Sequence, residues 1–313
     1  MIKTKNKEIY IVMYHYVREI KKSKYPNLKG LEFEEFKKQI NYFQKNFNIL
    51  SNDNFIEIIK SKKIPKKKSI LLTFDDGFKD HYKYVYPHLQ KKKLFANFYA
   101  PVLTIKNSKV LDVHKIHFIL EKELNRDKIL KMIFIYAKKF MGKNQDQLSL
   151  NKINTKSRYD DKKTVLIKRL LQNHLPIFYR EKITNKIFSL ILDTNEEQFS
   201  KKLYMKKSNI VELYKNNFSI GSHGYNHLWW GKISKTKQEE EIKKSLNYFK
   251  KIKVLNNNFS ICFPYGSYNA NTLKILKKYK IEYALTTNVG AVNYGNIKEN
   301  LTLPRFDTND FKN

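Results

Sequence analysis

Two adjacent carboxylates, Asp75 and Asp76, follow the apolar, β-favouring run SILLTF, and Gly77 follows them. Two histidines four positions apart, His223 and His227, follow the run FSIGS, and Pro264, Tyr265 and Gly266 follow SICF. Two neutral imidazoles and one carboxylate make a facial donor set that holds a divalent metal and leaves positions open for water and substrate. Each feature also has a plainer reading. An Asp pair makes a good turn or helix N-cap, and a lone His-x3-His is commonly two satisfied or exposed histidines. Their joint occurrence, each at the end of a strand-like run, favours a site.

The elements that must carry these groups alternate along the chain. EIYIVMYHYV (Glu8 to Val17) reads as a buried first strand with His15 near its end. Phe33, Phe36, Ile40 and Phe43 recur at helical spacing, and NFIEIIKSKKIPKKK gives a short helix stopped near Pro65. SILLTF is followed by a helical run ending in lysines, then by the strand LFANFYAPV (Leu94 to Val102). From residue 103 to 208 the pattern is helical, an expected insertion. Strand and helix then alternate again through NFSIGSHG, a helix from about Ser234 to Lys253, FSICFPYG, a helix from about Asn271 to Tyr279, YALTTNVG and LTLPRFD. Such alternation predicts a parallel sheet or barrel, with chemistry at the strand C-termini.

Composition narrows the chemistry. The 313 residues hold 62 Lys and Arg against 29 Asp and Glu, a formal charge of +33. That charge favours polyanions, and peripheral contact with an anionic membrane is the expected use. Nucleic acid is not expected as a partner, because no zinc finger, RNA-recognition signature or arginine-rich run accompanies the charge. The single cysteine, Cys262, excludes an intramolecular disulfide and a cysteine-built zinc site, so any metal must use His, Asp or Glu. No signal peptide and no membrane-spanning run is read, which sets the expectation of a cytoplasmic protein with a membrane-peripheral setting left open.

TFDDG, HGYNH and, in part, FPYG resemble the three leading motifs of the polysaccharide deacetylases, also called the NodB homology domain; MYHYV and LPRFD resemble many members too. The resemblance covers roughly Ile9 to Tyr99 and Phe218 to Asp307. It implies a distorted (β/α) barrel over 1–102 and 209–313, interrupted by the helical insertion 103–208. It further implies that Asp76, His223 and His227 bind a divalent metal, with zinc the expected ion, and that Asp75 is the general base. The backbone N–H of Tyr265 would complete an oxyanion hole. Adjacent strand residues face opposite ways, so the chain must turn here for both aspartates to serve one cleft, and Gly77 permits that.

Two departures from the family pattern matter. Many members carry an arginine two residues before the third-motif proline, where it orients the base; Cys262 stands there, and Arg305 is the candidate replacement. The family's late Leu-x-His supplies a general acid, but Leu285, Thr286 and Thr287 stand in that stretch and no histidine follows His227. His15 is the preferred substitute, with His114 second; His81, His88, His117 and His174 lie on presumed helices and receive no role. Tyr265 and Trp229 are candidates for stacking on a sugar face.

The function expected is metal-dependent hydrolysis of an N-acetyl group on an amino sugar, in a nucleotide-linked or lipid-linked precursor of a surface glycan. Two other readings stay open at this stage. One is a deformylase or other N-acyl hydrolase of the same fold; the other is a noncatalytic carbohydrate-binding or scaffold protein, favoured by the missing late histidine.

Overall fold

A computed structural model of the chain describes residues 4–106, 109–142, 153, 157, 160–293 and 297–311. The chain packs as two compact units, Met1–Glu19 with Gly30–Ser108 and Lys201–Asn313, and Ile20–Lys29 with Lys109–Ser200.

The first unit is built on parallel strands. In chain order they are β1 (Ile9–Tyr14), β2 (Val17–Arg18), β3 (Leu31–Glu32), β4 (Asn48–Ile49), β5 (Ser69–Phe74), β6 (Asn97–Ala100), β7 (Ser219–Ser222), β8 (Ser260–Cys262), β9 (Tyr283–Leu285) and β10 (Phe306–Asp307). The main sheet runs β10-β1-β5-β6-β7-β8-β9, with β4 also paired to β5, while β2 and β3 form a separate pair. Leu303 bridges to Leu285 of β9 just before β10 pairs with β1, so the segment 303–307 links the two ends of the sheet. The result is the expected distorted (β/α) barrel.

Its central strands β5 and β6 are buried on both faces, as parallel strands covered by helices must be. Along β1, Tyr10, Val12 and Tyr14 join one apolar cluster with Phe36, Ile40 and Phe43 of the helix Phe33–Asn46. Ile9 and Ile11 point the other way, into a cluster with Leu71, Tyr99, Tyr283 and Leu303. This alternation follows from the two-residue period of a strand. Register then sets the site: Tyr14 pairs with Phe74 and Ala100 with Ser222, so the residues that follow them, His15, Asp75 and His223, leave the sheet on the same edge.

The second unit is helical. Its principal helices are Asp112–Lys122, Arg126–Met141, Lys162–Arg169 and Ile177–Leu192. Asn125 caps one by accepting from the N–H groups of Asp127 and Lys128, and Asp161 caps another through Thr164. Buried Lys115 is held by Glu196 at 2.8 Å. The expected insertion began at 103 and ended at 208, whereas this unit takes 109–200 and adds 20–29. Tyr25 explains the addition, since its ring packs edge-on against Phe118, centroids 4.8 Å apart. Residues 201–208 belong with the barrel because Tyr204 bridges to Phe78 and the Met205 N–H donates to the Gly77 carbonyl at 2.9 Å. No helix among the described residues is long and apolar enough to cross a membrane.

Candidate metal-binding and catalytic site

Asp75 continues the ladder of β5, its N–H donating to the Tyr14 carbonyl at 2.9 Å. The chain then turns sharply, with Asp76 at φ +73° and Gly77 at +67°. A side chain at Gly77 would meet Ala100 Cβ at 2.9 Å, so space as well as backbone angle calls for glycine there. The turn sends two neighbouring carboxylates in different directions, both buried.

Asp76 reaches the histidines. Its Oδ1 lies 3.5 Å from His223 Nε2 and 3.4 Å from His227 Nε2, and the two Nε2 atoms are 3.2 Å apart. His223 Nδ1–H donates to the Cys262 carbonyl at 2.8 Å, which fixes the tautomer that turns the Nε2 lone pair toward Asp76. The triangle suits a small divalent ion, because bonds of about 2.0–2.1 Å at tetrahedral angles set ligand atoms about 3.3 Å apart. A second group, Asp75, His223 and Cys262, also draws its donor atoms within 4.8 Å. It fits an ion less well: Asp75 is engaged by an arginine, and burial raises the Cys262 pKa well above the usual thiol range, keeping its proton on.

That arginine is Arg305, which enters just before β10. Its Nη1 and Nη2 meet Asp75 Oδ1 and Oδ2 at 3.0 and 2.8 Å, a two-pronged pair with both side chains about 1 % exposed. The remaining donors reach the Thr286 carbonyl, Thr73 Oγ1 and Cys262 Sγ. Burial pushes the Asp75 carboxyl up, but the Arg305 charge, then His223, the Arg305 hydrogen bonds and His15, outweigh it and hold the group down at about 2. The Cys262 thiol lies between the partners, donating to Asp75 Oδ2 at 3.3 Å and accepting from Arg305 Nη2 at 2.9 Å.

Tyr265 sits in the left-handed region at φ +56°, in the tight turn that Pro264 begins. Its ring stacks on Trp229 with centroids 4.3 Å apart and planes 8° from parallel, and lies 4.6 Å from the His227 ring. His15 follows β1 with its side chain 40 % exposed and Nε2 3.9 Å from Asp76 Oδ2. The barrel thus gathers His15, Asp75, Asp76, His223, His227, Cys262, Tyr265 and Arg305 at its strand ends, with Trp229 on the Tyr265 ring. His114 lies in the helical unit, buried.

Sequence reasoning gave His81 no role. It is fully buried, and its Nε2–H donates to the His15 carbonyl at 2.6 Å; burial, more than the opposing pull of that bond and Asp76, lowers its pKa to about 4. A signal was present: His81, Val85 and Leu89 are spaced by four, the interval of one helical face, and all three are buried. Glu241 and Asn226, also passed over, are paired by two hydrogen bonds beside His227; no local pattern marks that pair.

A family model described as polysaccharide deacetylase matches residues 62–115 and 158–284, more than half of the chain. Solved structures with the same fold include the Streptococcus pyogenes deacetylase PplD in complex with acetate, at TM-score 0.61 and 18% identity over 97% of this chain and 93% of that one. IcaB from Ammonifex degensii follows at TM-score 0.55 and 13% identity over 96% and 91%, and the BpsB deacetylase domain from Bordetella bronchiseptica at TM-score 0.55 and 12% identity over 97% and 98%. No curated protein matches the sequence. With motif, barrel and family model in agreement, the chain belongs to the polysaccharide deacetylase family.

Proposed function

We propose that the protein is a metal-dependent hydrolase that removes the N-acetyl group of an amino sugar, with Asp76, His223 and His227 holding a divalent ion, zinc in the first instance. The observation that carries this reading is the triangle of His223 Nε2, His227 Nε2 and Asp76 Oδ1, with sides of 3.2 to 3.5 Å, beside an ionised Asp75. A divalent ion there supplies Lewis-acid polarisation of the amide carbonyl and lowers the pKa of water.

The chain's own residues do the rest. Asp75, ionised and fixed by Arg305, accepts a proton from the attacking water as the oxygen–carbon bond forms. Its low pKa keeps it ready to accept throughout the neutral range, at the expense of intrinsic basicity. The Tyr265 N–H, in the turn of Pro264 to Gly266, stabilises the oxyanion. His15 delivers a proton to the nitrogen as the carbon–nitrogen bond breaks, giving acetate and the free amine. Trp229 and Tyr265 offer stacked rings to the sugar.

The substrate class in this proposal is a nucleotide-linked or lipid-linked precursor of a surface glycan, supported by the charge of +33, which suits a phosphorylated carrier or an anionic membrane surface. The proposed setting is the cytoplasm, where a lone, buried cysteine stays reduced. The test is acetate release from N-acetylated nucleotide sugars, lipid-linked sugars and free polymer by the zinc-loaded protein. Faster release from the phosphorylated donors is expected. Release from polymer alone would overturn the precursor assignment, and release from none would overturn the deacetylase reading.

A further inference from the structure

The helix Lys235–Lys251 supplies no ligand, yet it carries three buried polar side chains, Gln238, Glu241 and Ser245. Their spacing of three and four puts them in one stripe. Ser245 Oγ lies 2.5 Å from Ser222 Oγ, which accepts from the Gly224 N–H at 3.1 Å. Gln238 Nε2 donates to the Ile233 carbonyl at 3.0 Å. Between them Glu241, 1 % exposed, accepts from the Asn226 backbone N–H at 2.9 Å through Oε2 and from Asn226 Nδ2 at 2.5 Å through Oε1.

The serine and glutamate contacts grip both ends of the turn from His223 to His227, whose backbone has φ +80° at Gly224 and +57° at His227. A left-handed angle at a residue with a β-carbon persists only where its surroundings hold it. A buried carboxylate, in turn, is tolerated only when its oxygens are hydrogen-bonded. Glu241 meets both conditions at once, placing its two oxygens on the residue immediately before His227.

We propose that Glu241 is a positioning residue for the ion site: by holding both donor nitrogens of Asn226, backbone and side chain, it fixes the turn that carries His227, and so sets how tightly the site retains a divalent cation. This rests on the reading of Asp76, His223 and His227 as ion ligands. Outer partners of this kind change metal affinity by about 10- to 100-fold.

The test titrates chelator-stripped protein with Zn²⁺ against a chromophoric chelator, with melting temperatures of the stripped proteins measured in parallel. Glu241→Met, which removes both acceptors, should weaken Zn²⁺ binding about 10- to 100-fold. Glu241→Gln should restore it, because its amide oxygen accepts from the Asn226 N–H while the Asn226 amide turns its own oxygen to the new donor. A lowered melting temperature with Zn²⁺ binding equal to the parent's would show a purely structural role and overturn the proposal. Should Glu241→Met not fold, Asn226→Asp sets carboxylate against carboxylate. It should weaken binding, and the pair Asn226→Asp with Glu241→Gln should recover it; unchanged binding in Asn226→Asp overturns the proposal equally. Absence of Zn²⁺ binding in the parent, unaltered by His223→Ala, would instead sink the ion site itself.

Discussion

Asp75 and Asp76 are neighbours in sequence, both buried, and placed in opposite company. Asp75 faces a guanidinium that takes both of its oxygens, whereas Asp76 faces two imidazole nitrogens at 3.4 and 3.5 Å. One carboxylate has its charge compensated by the protein alone; the other is arranged with two imidazole nitrogens into a set that suits a cation. Identical side chains thus acquire different chemistry from their surroundings, through charge partners and desolvation.

Breaking the two halves separately tests the contrast. The largest effect is expected at Asp76: Asp76→Ala should abolish ion uptake and bring turnover to background, with metal analysis of the purified protein as the check. Full stoichiometry in that variant would falsify the assignment. Asp75→Asn should keep the ion and lose about 10²- to 10⁴-fold in turnover; loss of the ion would show that Asp75, too, is a ligand.

The Arg305 half of the contrast is visible in stability. Arg305→Met leaves a buried carboxylate without its partner, a loss of about 3–5 kcal/mol at neutral pH. The pH dependence follows from the sign of the shift. In the parent, the Asp75 carboxyl is held at about 2, so its ionised form adds stability above the unfolded value, about 3.9, and that contribution is lost as pH falls toward 2. Without Arg305, burial dominates and raises the carboxyl, and the variant instead loses stability as pH climbs past about 4. Denaturant melts should therefore show the gap between the two proteins narrowing as the solution is acidified; a gap independent of pH would mean that Arg305 stabilises by packing.

The smallest effect is expected at His15, on the Asp76 side but 40 % exposed. His15→Ala should lower turnover at neutral pH with ion content unchanged, and should remove the alkaline limb of the rate profile, which reports loss of the protonated acid. Persistence of that limb with parental turnover would return His15 to a structural role.

How far the sequence revealed all this depended on distance along the chain. The strand runs were legible because alternation and turn residues are local signals, and Asp75, Asp76 and His223 stood out as candidates because each closely follows such a run. Arg305 could be suspected from the cysteine at position 262, but only packing shows a guanidinium reaching across to that thiol and to Asp75. Burial of His81 was recoverable from spacing; the grip of Glu241 on Asn226 was not, since it depends on where a helix lies against a loop. The helical company of residues 20–29 was illegible for the same reason, being decided by Tyr25 meeting a ring nearly a hundred positions away.

The pairing of Asp75 with Arg305 spans 230 positions, with residues 109–200 of the helical unit between them. Contacts so remote are slow to form, because the entropy of closing the intervening chain must be overcome before the contact contributes anything. A partly folded barrel with β1 and β5 joined but β10 undocked has no counter-charge at Asp75. Burying that carboxylate early is unfavourable, so solvent stays at the strand ends until the segment 303–307 arrives. Pairing of the Asp75 carboxylate is in this way coupled to the closing step of the barrel, and on the proposed mechanism activity should appear only in molecules that have completed it.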